Sequence, residues 1–318
     1  MQIEGLRGIS IIIVVVYHFF CRYFQLFCDD DVAVLHYFGT IGVGFFILIS
    51  GYYLIPVKKE ERQFCFFDFI RKKVIRLWPL YFISVTIIFI VLQIWQLPGR
   101  ETGLLDYCLN ITLLNGYIGT PYVDGAHWYM TTLFALILII GLARKLHIAH
   151  HPIFYLGWMA AVLILHFVGW NQLCTDVGGG YVGYVSIAYG MKCIANNNSK
   201  MKRLSCVCCA LGGAGAVYFI IGKIPAVELI VIVPIVYLCL NTKLAVLEFR
   251  VFGFIGKISY ALYLIHQNIG YLIILSFMKI NNQYEALYGI FALIVSFVLA
   301  VAVNSMNELL MRKMHHHH

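Results

Sequence analysis

The stretch Arg7-Gly-Ile-Ser-Ile-Ile-Ile-Val-Val-Val-Tyr-His18 sets the class of this protein. Its histidine lies within a largely apolar run from Ile9 to Phe20, where an ionisable ring is costly and is a functional-site hypothesis by default. At about 100° per residue, an eleven-residue step returns to within about 20° of its starting face, so Arg7 and His18 point the same way, about 16 Å apart along the axis. The stretch predicts a membrane helix with a polar pair on one face.

The composition extends this prediction to the whole chain. Of the 318 residues, 61% are hydrophobic and 12% are charged, and the mean hydropathy is +0.84. These values exclude a soluble globular domain and predict an all-α polytopic membrane protein. No internal repeat or low-complexity tract divides the sequence, so residues 1–314 are expected to form a single transmembrane domain. The residues His315 to His318 read as the remnant of a purification tag.

Ten apolar segments have roughly the length of about 20 residues that a membrane-spanning helix needs. They lie at about 8–27, 36–56, 78–97, 127–143, 152–170, 181–195, 204–221, 226–240, 253–277 and 285–304. We therefore predict ten transmembrane helices, with both termini on the same side of the membrane.

The cations of the connecting segments predict the orientation. If the N-terminus is cytoplasmic, 19 of the 23 Lys and Arg residues fall on the inner side, and only Arg22, Arg100, Lys223 and Lys279 remain for the outer side. Because Lys and Arg accumulate in cytoplasmic loops, this excess predicts that both termini are cytoplasmic. The net charge of +8 is then mainly an orientation signal, and no nucleic-acid partner is expected.

Two histidines are expected to share the midplane of the membrane. With a rise of about 1.5 Å per residue, His18 lies about 16 Å and His266 about 13 Å into a hydrocarbon layer of about 30 Å. A single intramembrane histidine is more often a packing residue than a catalyst. Two at matching depth, with Arg7 in register, favour chemistry instead. By contrast, His127 is expected to be an ordinary interfacial ring at an outer helix end.

A basic cluster precedes Pro79 and has two interpretations. Its members Arg71, Lys72, Lys73 and Arg76 suit anionic lipid headgroups and orientation, and they equally suit a soluble anionic cosubstrate. The ten cysteines lack metal-ligand spacing and are expected to serve mainly as small packing residues, so no metal site is predicted.

Four motifs occur in order along almost the whole chain. They are Glu4-Gly-Leu-Arg7 through Tyr17-His18-Phe19, Gly42-Val-Gly-Phe-Phe-Ile-Leu-Ile-Ser50-Gly-Tyr52, Phe69-Ile-Arg71-Lys-Lys-Val-Ile-Arg76-Leu-Trp-Pro79-Leu-Tyr81 and Gly256-Lys-Ile-Ser259-Tyr-Ala-Leu-Tyr263-Leu-Ile-His266. In these motifs the chain resembles the acyltransferase-3 family of integral-membrane acyltransferases, which modify cell-surface carbohydrates. Larger relatives often carry a Ser-x-Glu-Glu element after the tryptophan of the His127-Trp128 segment. This sequence lacks it, so no acidic catalytic partner is expected there.

The resemblance implies a reaction and a set of roles. The expected reaction is O-acyl transfer, most simply O-acetyl transfer, from cytoplasmic acetyl-CoA or another acyl-CoA to a hydroxyl of a glycan or lipid-linked saccharide, in the cell membrane of a bacterium. The basic cluster Arg71, Lys72, Lys73 and Arg76 would hold the phosphates of coenzyme A. The catalytic candidates are His18 as general base, Arg7 at the donor or a developing charge, and His266, Tyr263 and Ser50 as orienting or oxyanion-stabilising groups. The acceptor-binding candidates are His127, Trp128 and Asp124.

Two other classes of function stay open at this stage. Midplane histidines and arginines also form proton relays, so a proton-coupled exporter of a lipid or glycan is the main alternative. A structural membrane subunit is the second alternative, and it predicts that Arg7 and His18 can be replaced without loss. Direct transfer and transfer through an acyl-histidine intermediate are both compatible with the sequence.

Overall fold

A computed structural model describes residues 1–28, 38–56, 64–170, 181–196 and 200–316. Every regular element within these ranges is helical. The first residues of the second predicted span and two residues of the predicted tag remnant, His317 and His318, lie outside the described residues. The expected all-α class is confirmed.

The described residues form twelve helices. They are α1 (Gln2–Phe27), α2 (Phe38–Leu54), α3 (Phe66–Ile94), α4 (Leu104–Ile111), α5 (Asn115–Ile118), α6 (Trp128–Lys145), α7 (Pro152–Phe167), α8 (Val182–Asn196), α9 (Lys200–Ala216), α10 (Lys223–Leu240), α11 (Arg250–Met278) and α12 (Glu285–His316). A π-helical turn at His18–Arg22 lies within α1, and a second π-helical turn at Val217–Ile221 extends α9. Short 3-10 turns at Gly125–His127 and Ala245–Glu248 precede α6 and α11.

Seven helical segments in the described part of the chain are long and apolar enough to cross a membrane. They are Gln2–Phe27, Phe66–Ile94, Gly125–Lys145, Arg203–Ile221, Lys223–Leu240, Arg250–Met278 and Glu285–Lys313. The helices at Gly39–Leu54 and Pro152–Phe167 are apolar but shorter. The chain is thus a multi-pass membrane protein, while the count of ten crossings and the cytoplasmic termini stay predictions.

Helix α11 lies at the centre of the bundle and packs along α1, α3 and α12. Glycines allow the close approach of α1 and α11. A Cβ on Gly256 would meet the backbone carbonyl of Glu4, and one on Gly8 would meet the backbone of Phe252. Small residues of this kind let membrane helices associate through backbone contact. The same parallel pairing places Phe19 of α1 against Gly270 of α11.

Helix α2 connects this centre to a peripheral group formed by α7, α8 and α9. It runs antiparallel to α1, because Gly39 contacts Tyr17 and Gly42 contacts the Ser10–Val14 turn. Its other face packs against α8 and α10. One end of the bundle carries the first turns of α1 and α3 and the last turn of α6, with Arg7, Arg71 and Arg144, and is called the basic end below.

The segment between α3 and α6 folds back into the bundle, although the sequence predicted a plain outer loop from Pro98 to Ala126. Tyr81 Oη donates to the Asn110 carbonyl at 2.9 Å, and Val123, Asp124 and Ala126 are buried. Irregular backbone is tolerated inside a membrane protein only where protein groups satisfy it. Here the Asn110 amide does so, because it donates to the Pro121 carbonyl and accepts from the Val123 N–H. Hydrophobic periodicity carries no signal for such pairing.

Candidate functional site

His18 begins the π-helical turn of α1, at the point where the α-helical hydrogen-bond pattern changes. Such turns recur at functional sites because they re-aim a side chain. The His18 Nδ1 lies 3.2 Å from Tyr271 Oη, and its ring centroid lies 5.0 Å from that of His266. The ring is half-buried, whereas Tyr271 and His266 are fully buried. The imidazole therefore faces α11 and the bundle interior.

His266 presents a free ring nitrogen to this interior. Its Nδ1 lies 2.9 Å from the Tyr263 carbonyl and 3.1 Å from the Leu262 carbonyl. Carbonyl oxygens only accept, so the proton resides on Nδ1 and Nε2 keeps its lone pair. That Nε2 is buried and has no hydrogen-bond partner among the described residues. His266 is thus oriented as an acceptor beside His18.

Three hydroxyl-bearing residues continue the site from His266. The Tyr263 hydroxyl donates to the Ala126 carbonyl, and its ring lies 5.4 Å from that of Tyr129. Tyr129 Oη lies 3.3 Å from Ser50 Oγ. The two hydroxyl groups carry two protons, and this hydrogen bond uses one of them. The other proton is available to a ligand.

Arg7 lies at the basic end of this row. Its guanidinium is 3.6 Å from the Glu4 carboxylate, with 27% of its side chain exposed. It lies within electrostatic range of the buried Tyr129. The predicted residues Ser50, Tyr263, His266 and His18 thus form, together with Tyr129, a row of neighbouring polar side chains. Arg7 lies near the Tyr129 end of this row.

Asp124 and His127 are fully buried and clamp α11 at adjacent backbone groups. Asp124 Oδ2 accepts from the Asn268 N–H at 3.0 Å, and His127 Nε2 donates to the Leu264 carbonyl at 2.9 Å. That N–H and that carbonyl belong to residues four apart, the spacing of a helical hydrogen bond. The expectation of an interfacial His127 is therefore wrong, because the 3-10 turn carries it into the protein. The clamp holds the turn of α11 that bears His266.

Trp128, the third acceptor-binding candidate, lines a cavity. The cavity has a volume of about 270 Å³ and lies between the ends of α2, α6, α8 and α10. The Trp128 ring stacks on that of Tyr181, with centroids 5.3 Å apart and planes inclined by 24°. Of the three candidates, Trp128 is thus the one that faces open space.

The basic stretch of α3 divides into two groups. Arg71 and Lys72 are exposed and pair with Asp68 at 3.4 and 2.8 Å. Lys73 lies over the Phe69 ring at 5.5 Å, and the Arg144 guanidinium lies 4.9 Å from the same ring. Lys73 is also within electrostatic range of Arg76. Arg144 thus joins the cluster from α6, which sequence spacing alone did not predict.

Among the described residues, no group of three or more His, Cys, Asp or Glu side chains is arranged to hold a metal ion. The site consists instead of imidazoles, hydroxyls and cations.

A family model described as an acyltransferase domain matches residues 2–304. The chain belongs to the acyltransferase-3 family. No curated protein and no solved structure gives a significant match. Family membership makes the chain a membrane acyltransferase, in agreement with the four motifs.

In this acyltransferase-3 protein, the structure adds Tyr271, Tyr129 and Arg144 to the residues that the motifs indicated. Tyr271 follows His266 by five residues, and Tyr129 follows His127 by two. In sequence they are ordinary aromatic residues of apolar helices. Only their hydrogen bonds to His18 and Ser50 separate them from packing residues.

Proposed function

We propose that this protein is an O-acyltransferase that moves an acyl group, most simply acetyl, from cytoplasmic acyl-CoA to a hydroxyl of a cell-surface glycan or lipid-linked saccharide. One observation supports this more than any other. Two imidazoles lie 5.0 Å apart inside the bundle, at the end of a polar row that starts at the basic end. A base at that position can serve a donor from one side and an acceptor from the other.

The donor enters at the basic end. Lys73, Arg76 and Arg144 provide the cations for the phosphates of coenzyme A, and arginine can bind a phosphate through two parallel hydrogen bonds. Arg71 and Lys72 share their charge with Asp68 and contribute less. The extended pantetheine arm then follows the row from Arg7 toward His18 and brings the thioester to about half the bilayer depth, roughly 15 Å.

His18 acts as the general base through Nε2. For that role its Nδ1 carries the proton and donates it to Tyr271 Oη. Gln267 lies 3.4 Å from the same hydroxyl through its amide, and its Oε1 has no partner among the described residues. Turning that amide by 180° lets Tyr271 donate to Gln267 Oε1 while it accepts from His18. This relay holds the tautomer that a base requires.

The transfer balances without a metal. The acceptor hydroxyl loses its proton to His18 Nε2 while its oxygen bonds to the thioester carbon, and the carbonyl oxygen becomes an oxyanion. The free hydroxyl proton of the Ser50–Tyr129 pair is the donor that stabilises that oxyanion. Arg7, about 16 Å from His18 along the axis of α1, attracts the anionic donor instead. The C–S bond then breaks, and His18 returns the proton to the departing thiolate of coenzyme A.

The test uses purified full-length protein in lipid nanodiscs with acetyl-CoA labelled in the acetyl group and a mixed glycan acceptor. The His18→Ala variant should lose at least about a hundredfold in transfer rate, because general-base catalysis contributes about 10² to 10⁴. His166→Ala is the matched control, since His166 lies on the peripheral helix α7. Full activity in His18→Ala would remove the base assignment.

The same preparation separates the enzyme from the proton-coupled exporter. An exporter would move glycan across a proteoliposome membrane and produce no labelled product. A labelled protein formed without acceptor and absent in His18→Ala would establish an acyl-histidine intermediate.

A further inference from the structure

The cavity beside Trp128 is linked to the candidate base through Gly39 and Tyr17. Gly39 lines the cavity, and the Tyr17 ring lies 2.7 to 3.0 Å from the position that a Cβ of Gly39 would occupy. The Tyr17 ring centroid is in turn 5.3 Å from that of His18. Gly39 and the Tyr17 ring thus lead from this cavity toward the imidazole.

The walls of the cavity combine aromatic faces with a polar chain. Trp128 and Tyr181 form the stacked aromatic wall, and Tyr184 continues it with its ring centroid 6.0 Å from that of Tyr181. Thr40 lines the other side, and its Oγ1 lies 2.8 Å from both carboxylate oxygens of Glu228. Glu228 lies on α10, three residues after Pro225, which also lines the cavity.

Glu228 has fewer hydrogen-bond donors than a buried carboxylate needs. Only 8% of this residue is exposed, and a hydroxyl group carries one proton, so Thr40 can satisfy only one of its two oxygens. No ion pair to Glu228 occurs among the described residues. A buried carboxylate is costly unless it is paired or well hydrogen-bonded. The arrangement is therefore suited to a ligand that brings hydroxyl donors.

We propose that this cavity is the acceptor site and that it binds an uncharged, hydroxyl-bearing saccharide unit. The inference rests on the proposed function, because it takes the acyl acceptor to be a saccharide. The apolar face of the sugar ring lies against Trp128 and Tyr181. One sugar hydroxyl donates to Thr40, which donates to one oxygen of Glu228, and a second sugar hydroxyl donates to the other oxygen of Glu228. The hydrogen bonds in such a chain strengthen one another in a low-dielectric site.

The charge of Glu228 decides which sugars fit. When Glu228 is ionised, its buried carboxylate repels a uronate or a phosphate strongly, so the bound unit is neutral. An acyl chain would bring no donor for Thr40 or Glu228.

A binding experiment tests the site directly. Full-length protein in nanodiscs free of glycoside detergent is mixed with methyl glycosides of glucose, galactose and N-acetylglucosamine, and with methyl glucuronide as the charged counterpart. Saturation-transfer NMR should detect at least one neutral glycoside and no glucuronide. Thr40→Val should weaken the neutral signal at least about tenfold, which is the effect of losing one hydrogen bond to a charged or polarised group. Trp128→Ala should also weaken it, because the variant removes the aromatic wall on which the sugar ring packs. Absence of every neutral glycoside, or equal binding in these variants, would overturn the proposal.

Glu228→Gln gives the sharper result, because glutamine can still accept from Thr40 but carries no charge. We expect the discrimination between glucoside and glucuronide to fall at least about tenfold in this variant. Glu308→Gln is the control, since Glu308 is exposed and bonds Asn304 near the end of α12. Unchanged discrimination in Glu228→Gln would contradict the role of the charge.

The acyl-transfer assay then separates the two proposals. Glu228→Gln and Thr40→Val should raise the KM for the acceptor at least about tenfold, with less than a twofold change in the KM for the donor. His18→Ala should lose transfer and keep glycoside binding. If the wild-type protein transfers acetyl groups but binds no neutral glycoside, the acceptor site is refuted and the proposed function stands. If it binds glycosides but transfers nothing, the proposed function is refuted instead.

Discussion

At the scale of the residue, the position of one proton decides whether His18 can act. The His18 ring has two nitrogens, and Nδ1 lies 3.2 Å from Tyr271 Oη. The identity of that partner selects the tautomer. Sequence periodicity predicted that His18 shares a face with Arg7. It did not predict the contact with Tyr271, because a tyrosine on an apolar helix is usually a packing residue.

Tyr271→Phe should therefore lower kcat by about tenfold to a hundredfold with little change in either KM, since it removes the acceptor of Nδ1–H and leaves the ring in place. Its ring contacts with Tyr23 and Phe27 keep the variant folded. Steady-state kinetics with labelled acetyl-CoA measure the effect. Tyr237→Phe, at a half-exposed tyrosine of α10, is the control. An unchanged kcat in Tyr271→Phe would show that the tyrosine only packs.

At the scale of the element, two contacts position α11 against its neighbours. The first is the Asp124–His127 clamp on the Leu264 carbonyl and the Asn268 N–H. Removing one partner of a buried hydrogen bond costs about 1–3 kcal/mol, because the other partner stays buried without it. The clamp adjoins His266, so its loss affects the site as well as stability.

Asp124→Ala should lower the free energy of unfolding by about 1–3 kcal/mol and speed hydrogen exchange at Asn268 and its neighbours in α11. Asp106→Ala is the control, because Asp106 accepts from the Gly103 N–H at the start of the exposed helix α4. Hydrogen exchange followed by mass spectrometry in nanodiscs gives the readout. Equal exchange in both variants would contradict the clamp.

The second contact is the glycine seam between α1 and α11, which sets the distance from His18 to His266. Gly256→Ala places a Cβ against the Glu4 carbonyl, whereas Gly253→Ala, one turn earlier on the same helix, meets open space. Overpacking of this kind costs about 1–3 kcal/mol. We expect Gly256→Ala to lose stability and transfer activity and Gly253→Ala to retain both. Comparable melting temperatures and rates for the pair would refute the seam.

At the scale of the whole molecule, the sequence predicted the helical class and most residues of the polar row, but not the segment that folds around this row. Apolar periodicity predicted the long helices, and the eleven-residue step from Arg7 to His18 predicted that both side chains lie on one face of α1. The segment from Pro98 to Ala126 was predicted as a loop, because the burial of its second half depends on hydrogen bonds of Asn110, Asp124 and the neighbouring His127. Glu228 was not predicted as a site residue either. A single carboxylate on an apolar helix indicates no site by itself, and its contact with Thr40 of another helix cannot be read from the sequence.

The orientation in the membrane decides whether cytoplasmic acyl-CoA can reach the basic end. Charge bias predicts that Lys243, between α10 and α11, is inside and that Lys279, after α11, is outside. In a cysteine-free background, a membrane-impermeant maleimide should label Lys279→Cys in intact cells and Lys243→Cys only after lysis. The two substitutions control for each other, because both lie in exposed connections at the ends of α11. The reverse pattern would place the basic end on the outer side of the membrane, where cytoplasmic acyl-CoA cannot reach it.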